Sequence, residues 1–298
     1  MTLKITRADD PIIVNQIIVA IYSNPGLGKS TLGFSAESPI LLDFDQGCYR
    51  AANRGDSVQI EAWSEVASIT AEDLSPFKTI VIDTAGRALD FLTSDIIRRN
   101  PKLGYGGALT LQGYGKLKAE FTAWLKSLKV LGKDVVLIAH SSEDKNGDEL
   151  IERLDVQGGS KGEIYKSADA MGRLSLVNGK RVINFSPTDT SFGKNPGNLD
   201  PIQVPDISTA PQFLGDIIAT IKEKLNTFSE EQQRRQKIVA EWLEKIQKAE
   251  AVEDFNDLVK DTKEDELDKA VLAIVKGAIH KAATTAGFTP DKAQGCYV

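Results

Sequence analysis

The chain has 298 residues, 41% hydrophobic and 26% charged, with a formal net charge of −6 at neutral pH. These figures fit a globular protein long enough for one large α/β domain and a smaller appendage, and they argue against a generally basic nucleic-acid coat while leaving local basic loops open. Two distant cysteines, Cys48 and Cys296, and two histidines give neither metal-ligand spacing nor a disulfide framework. Met1-Thr2-Leu3-Lys4-Ile5-Thr6-Arg7 lacks a signal-peptide apolar segment and no run has membrane length, so a cytosolic protein with no membrane partner is expected.

The first apolar run, Ile17-Ile18-Val19-Ala20-Ile21-Tyr22, reads as a buried strand. It leads into Ser23, Asn24, Pro25, Gly26, Leu27, Gly28, Lys29, Ser30 and Thr31, and then into Leu32-Gly33-Phe34-Ser35-Ala36, which can continue as a helix. Strand, glycine-rich loop and helix in that order make a phosphate-binding loop. Glycines let backbone N–H groups turn inward around phosphates, Lys29 brings a point charge to the β- and γ-phosphates, Ser30 offers its hydroxyl to Mg²⁺, and the helix N-terminus adds its dipole. The pattern G-x-x-x-x-G-K-[ST] asks for glycine where this chain has Ser23; Gly26 can take a positive φ and keep the turn feasible.

Three more apolar runs follow: Pro39–Phe44, Lys78–Asp83 and Asp134–Ala139, with helical stretches at 86–98 and 114–131. Near-continuous apolar runs alternating with helices predict a parallel α/β sheet covered on both faces. In Leu41-Leu42-Asp43-Phe44-Asp45-Gln46-Gly47, alternation sends both carboxylates to one side. Asp45, at the strand end, is the group expected to orient an attacking water, with Asp43 as runner-up or supporting group; helix capping is the plainer reading of either. Asp83 ends its strand as a Walker B carboxylate for Mg²⁺, or else caps the next helix. His140, after the strand ending at Ala139, reads either as a γ-phosphate sensor or as an imidazole satisfied by a nearby carbonyl.

Arg173–Val177 and Arg181–Phe185 flank Asn178-Gly179, a hairpin signal, so an antiparallel pair should extend the sheet. A Pro/Gly/Asn-rich connector from Ser186 to Pro211 precedes a helix near 212–226. From Ser229 no strand-like run is evident. Ser229-Glu230-Glu231-Gln232 has capping character, and Ile238, Trp242 and Ile246, then Leu267, Val271 and Ile274, share helical faces. Two or three helices over 229–298 are expected, either as a separate partner-docking module or as a lid on the core. The division is therefore 1–228 and 229–298.

Asn24–Thr31, Asp43-Phe44-Asp45-Gln46-Gly47, Ile80-Val81-Ile82-Asp83, Val136–His140 and Thr188–Asn195 together resemble the RecA-like P-loop ATPases and, more narrowly, the Sak-type phage single-strand annealing proteins, over residues 12–225. The resemblance implies an α/β, RecA-like P-loop NTPase with a mainly parallel central sheet extended by an antiparallel hairpin, plus a C-terminal helical unit. It implies ATP and Mg²⁺ as ligands, assembly into a homo-oligomeric ring or filament, and single-stranded DNA as partner, in the host cytoplasm if the protein is phage-encoded. In RecA-like proteins glutamate usually stands where Asp45 does, so slow hydrolysis is one implication. DNA would be bound by two loops. The first, from Arg98 to Lys116, offers Arg98, Arg99, Lys102 and Lys116 for phosphates and Tyr105 for base stacking. The second, from Ser141 to Lys161 with Gly158-Gly159-Ser160, is more acidic. Lys194, with Arg181 behind it, is the basic finger expected to reach a neighbouring subunit's γ-phosphate. The C-terminal helices would recruit a single-stranded-DNA-binding protein. The rival readings are a ring-forming DNA motor or helicase loader, and a nucleotide-gated interaction protein without catalysis.

Overall fold

The computed structural model describes residues 13–146, 149–157, 159–291 and 295–298. The Met1–Arg7 segment and Gly158 of the second loop lie outside them. In chain order the first elements are β1 (Ile18–Ser23), α1 (Lys29–Gly33), β2 (Pro39–Asp43), β3 (Ser57–Gln59), α2 (Trp63–Ala67), β4 (Thr79–Asp83) and α3 (Ala85–Arg99). There follow β5 (Gly104–Tyr105), β6 (Ala108–Leu109), α4 (Leu111–Val130), β7 (Asp134–Asn146), β8 (Glu149–Leu154) and α5 (Ser160–Ser167). Next come β9 (Ala170–Val177), β10 (Lys180–Asn184), β11 (Ile202–Gln203), α6 (Phe213–Gln247), α7 (Val252–Glu264), α8 (Lys269–Thr285), β12 (Pro290–Asp291) and β13 (Cys296–Tyr297).

Among the described residues a nine-stranded sheet runs β11-β10-β9-β1-β7-β4-β2-β3, with β8 paired to β7. The pairings from β9 through β1, β7, β4 and β2 to β3 are parallel, while β10, β11 and β8 join antiparallel. The phosphate-loop strand thus sits in the middle. Strand alternation divides the apolar runs between two cores. Ile18, Ala20, Tyr22, Ile80, Ile82, Val135 and Leu137 face one core, closed by α2, α3 and α4. Ile17, Val19, Ile21, Val81, Val136 and Ile138 face the other, with Leu32 of α1 and Leu214, Ile217, Ile218 and Ile221 of α6. Continuous apolar strands need such a double cover.

The helices start where side-chain caps are available. Thr84 caps α3 by accepting the Arg87 N–H, and Thr110 caps α4 through Gly113. Buried Leu117, Phe121, Trp124, Leu125 and Leu128 line one face of α4 at helical spacing. Asn178 and Gly179 both take positive φ (52° and 78°), the turn that the hairpin signal requires.

Several expectations need correction. The Ser141–Lys161 segment is not mainly loop: β7 runs on through it, pairs with β8, and α5 begins at Ser160. Tyr114, Gly115 and Lys116 lie in α4, and Arg98 and Arg99 in α3, so the first loop shrinks to a helical turn and the β5–β6 hairpin. Ser229 caps nothing, because α6 is continuous from Phe213 to Gln247; the good helix formers on either side, Lys222-Glu223-Lys224-Leu225 and Glu230–Lys237, outweigh the capping signal.

Residues 14–225 form one compact unit, and 226–298 belong to another. The second unit has its own core of Trp242, Ile246, Phe255, Leu258, Val271, Val275, Ile279 and Ala283. Ile274 is exposed, the buried stripe of α8 falling one residue later, and β12–β13 form a short antiparallel pair that the sequence reading missed. No helix among the described residues is long and apolar enough to cross a membrane.

Phe121 is fully buried and touches Trp124 at a ring separation of 5.9 Å. Phe121→Ala should cost about 3–5 kcal/mol of stability, read as a fall in urea midpoint; a loss under ~1 kcal/mol would mean that α4 does not close this core.

Candidate nucleotide-binding site

The parallel register carries four polar side chains to one sheet edge. Ser23 ends β1 opposite His140, and Asp83 ends β4 opposite Asp43 and Ile138. Beyond Ser23 the chain turns through Gly26 and Gly28, whose φ values of 82° and 81° lie in the left-handed region that only glycine adopts cheaply. Ser23 has no positive φ, which explains why a β-carbon is tolerated at the motif's first position.

Lys29 is buried, and its ammonium donates to Ser23 O (3.0 Å), Asn24 O (3.0 Å) and Ser23 Oγ (3.1 Å). Burial lowers its pKa to about 8, against the opposing pull of Asp83 and Asp45. His140 Nδ1 lies 3.4 Å from the same ammonium. An ammonium has no lone pair, so Nδ1 must accept, and the imidazole is neutral with its proton on Nε2. Burial, then Lys29, lowers the His140 pKa in agreement. Its Nε2 faces Asp45 Oδ2 at 3.9 Å, too long for a hydrogen bond.

Ser30 Oγ donates to Asp83 Oδ2 at 2.5 Å. Burial raises the Asp83 carboxyl to about 6; Asp45 and Asp43 add to the rise, and the Ser30 bond and Lys29 oppose it. Asp43 stands apart from this chemistry. Its two oxygens accept the Gly47 and Cys48 N–H groups, each at 3.0 Å, and so hold the turn after β2. Asp45 emerges from that turn into a cleft of about 350 Å³ shared with Pro25, Gly26, Gly28, Lys29, Ser30, Thr31, Asp83 and His140. Its Oδ1 accepts from Arg87 Nε at 3.1 Å.

The cradle fits a nucleotide triphosphate with Mg²⁺. Two left-handed glycines turn the loop, a lysine is directed by loop carbonyls, and a hydroxyl touches a carboxylate. No cluster of three or more His, Cys, Asp or Glu able to hold a metal occurs among the described residues. Ser30 and Asp83 offer the one or two protein oxygens that Mg²⁺ takes, its shell being completed by phosphate and water.

The other expected residues fall elsewhere. Lys194 Nζ donates to Ala168 O at 2.7 Å. Ala168 precedes β9, whose Ala170 pairs with Val19, so this ammonium lies toward the end of the strands away from Ser23. Arg181 lies beside the phosphate loop of its own chain: a β-carbon on Gly28 would stand 2.7 Å from its Nη1, and its Nη2 donates to Pro205 O at 3.1 Å. Of the DNA candidates, Arg98 pairs with Asp95 (2.6 Å), Arg99 with Asp95 (2.7 Å) and Glu120 (2.5 Å), and Lys116 with Glu120 (3.7 Å). Lys102 and Tyr105 are exposed, Tyr105 at 88%. These five sit at the far end of α3, about 20 Å from its start by helical rise.

Sequence reasoning missed Arg87 and Arg50. Arg50 lines the cleft and stacks on Tyr49 at 5.2 Å, and a β-carbon on Gly47 would collide with its guanidinium. Arg87 carried a signal, since it falls in the first turn of a Thr84-capped helix directly after the acidic strand.

A glycine loop and an acidic strand end meeting at one edge of a mainly parallel sheet define a P-loop NTPase fold. Residues 15–196, more than half of the chain, match the AAA domain family, and the protein belongs to it. No curated protein matches. Among solved structures, a KaiC-like protein from the hyperthermophilic archaeon Pyrococcus horikoshii OT3 aligns at 13% identity over 57% of this chain and 78% of its own, with a TM-score of 0.32.

Magnesium-nucleotide binding needs Asp83 ionised and Lys29 charged. Affinity should therefore fall below pH about 6 and above about 8, giving a bell in a fluorescent-nucleotide titration; a flat profile from pH 5 to 9 would contradict these environments. Because the Asp83 carboxyl is raised, its ionisation opposes folding as pH rises from about 4 to 6. Asp83→Asn should raise the neutral-pH stability of the nucleotide-free protein by about 1–3 kcal/mol while weakening metal-dependent nucleotide binding. A lower melting temperature would be the wrong sign.

Proposed function

We propose that this protein is a magnesium-dependent ATPase. The observation that carries the reading is the 2.5 Å contact between Ser30 Oγ and Asp83 Oδ2, with Asp45 and His140 lining the same cleft. Ser30 and Asp83 would hold Mg²⁺, which would supply neutralisation of the phosphate charge. The chain's own groups do the rest. Backbone N–H groups from Gly26 to Thr31 bind phosphate oxygens, and Lys29 exchanges its loop carbonyls for them. Asp45 orients water, a positional role for a carboxylate. Neutral His140, touching Lys29 on one side and facing Asp45 on the other, registers the terminal phosphate.

The reading extends to partners. Single-stranded DNA would be annealed or paired by an ATP-assembled oligomer of this chain, as the resemblance to Sak-type phage annealing proteins implies. Support for it comes from that resemblance and from exposed Lys102, just before the β5–β6 hairpin, and Tyr105, in its first strand beside left-handed Gly106 and Gly107. Arg98, Arg99 and Lys116 are engaged with carboxylates and are not assigned to DNA.

ATP turnover measured with and without single-stranded DNA across a salt series tests both levels. Turnover is expected in the parent protein. Lys29→Ala should weaken nucleotide binding about 10–100-fold, the value of lost charged hydrogen bonds. DNA should stimulate turnover, with the effect fading as salt rises and lost in a Lys102→Ala/Tyr105→Ala double variant. Nucleotide binding without turnover would replace the enzyme by a nucleotide-gated switch, and turnover indifferent to DNA would remove the annealing assignment alone.

A further inference from the structure

Asp45 is one methylene shorter than the glutamate usual at this place, so the groups that aim its carboxylate matter. On one side His140 Nε2 stands 3.9 Å from Oδ2. On the other, Arg87 Nε donates to Oδ1 at 3.1 Å. Arg87 is itself held: its Nη1 donates to Asp90 Oδ2 at 3.2 Å, one helical turn on. Asp90 in turn accepts from Gln157 Nε2 through Oδ1 at 2.9 Å, and the same amide reaches Thr93 Oγ1 at 3.2 Å. Gln157 lies three residues beyond β8, and the same connection is tied to the nucleotide site by Asp155 N–H donating to His140 O at 2.8 Å. These groups line a cleft of about 400 Å³ that shares Asp45, Thr84 and His140 with the phosphate cradle, while Arg87 lines only this neighbouring cleft.

We propose that Arg87 is a positioning residue for ATP hydrolysis, fixing one oxygen of Asp45 so that the other is presented to water at the terminal phosphate, with Asp90 and Gln157 fixing Arg87. The inference rests on the ATPase reading. A guanidinium suits this role because its planar donors hold a carboxylate and a second acceptor in fixed directions, which an ammonium does not. Fastening Oδ1 removes rotations that a short side chain at the end of a turn otherwise has, and alignment of that kind affects the rate rather than ground-state binding.

The test is a double-mutant cycle on ATP turnover and nucleotide affinity in the full chain, with D45A, R87A, R87K and D45A/R87A. R87A should lower kcat about 10–100-fold and leave the nucleotide Kd within about twofold. R87K should recover little. D45A/R87A should be no slower than D45A, because Arg87 acts only through Asp45. The Arg87 side chain is 61% exposed, so folding should survive, and unchanged nucleotide affinity in R87A checks it. R87A turning over as fast as the parent overturns the proposal, as does a tenfold loss of affinity or rate losses that multiply in the double variant. A parent protein that binds nucleotide without turnover defeats the ATPase reading and this role together; an active parent with multiplicative losses defeats this role alone.

Discussion

The parallel register of β1, β7, β4 and β2 is the constraint on which the site depends. Parallel strands end on one edge, so the loops leaving neighbouring strands emerge side by side. Ser23 faces His140 across β1–β7, and Asp83 stands between Asp43 and Ile138 across β2–β4–β7. A residue slip in any of these strands would separate Ser30 from Asp83 and turn every apolar side chain to the wrong core. The two cores therefore set the site's geometry: Ile80 and Ile82 on one face and Val81 on the other leave the strand a single register in which both faces are filled.

Burial of charge at that edge is then compensated locally. Lys29 and Asp83 are both withdrawn from water, and each has its ordinary ionisation shifted toward neutrality, the lysine to about 8 and the carboxyl to about 6. The loop satisfies the ammonium with two carbonyls and a hydroxyl, and the serine satisfies the carboxylate. Such groups are worth their desolvation only where a charged ligand is expected: a polyphosphate restores the lysine's charge, and a divalent cation restores the carboxylate's. His140 is kept neutral between them by burial and by the lysine, so it can accept from one side without adding a second positive charge to the loop.

Most of this was legible in the chain wherever chemistry follows from local spacing. The phosphate loop, the acidic strand end at Asp83, the strand positions and the Asn178-Gly179 hairpin are short-range signals, and each forms in place. In the sequence Asp45 stands ahead of Asp43 only by its place at the strand end, because alternation alone does not say that the turn after β2 takes both Asp43 oxygens for the Gly47 and Cys48 amides. The basic loop misled for a related reason. Arg98 and Arg99 are three and four residues from Asp95, a spacing that pairs them within a helix, and Glu120 arrives from α4, 21 residues later. Arg181 lies beside Gly28 of its own chain while Lys194 turns to Ala168, since strand register, not distance along the chain, decides which one lies near the loop.

The two departures from the expected motif are absorbed in different ways. At Ser23 the backbone still belongs to β1, so no left-handed φ is demanded, and the hydroxyl becomes one more acceptor for Lys29. The substitution therefore adds to the cradle. At Asp45 the carboxylate is contacted from outside the turn: Arg87 on α3 donates to Oδ1 at 3.1 Å, and His140 on the sheet edge stands 3.9 Å from Oδ2. Arg87 is held in turn by Asp90 and, through it, by Gln157, so the direction of a short side chain follows the geometry between several elements rather than its own length.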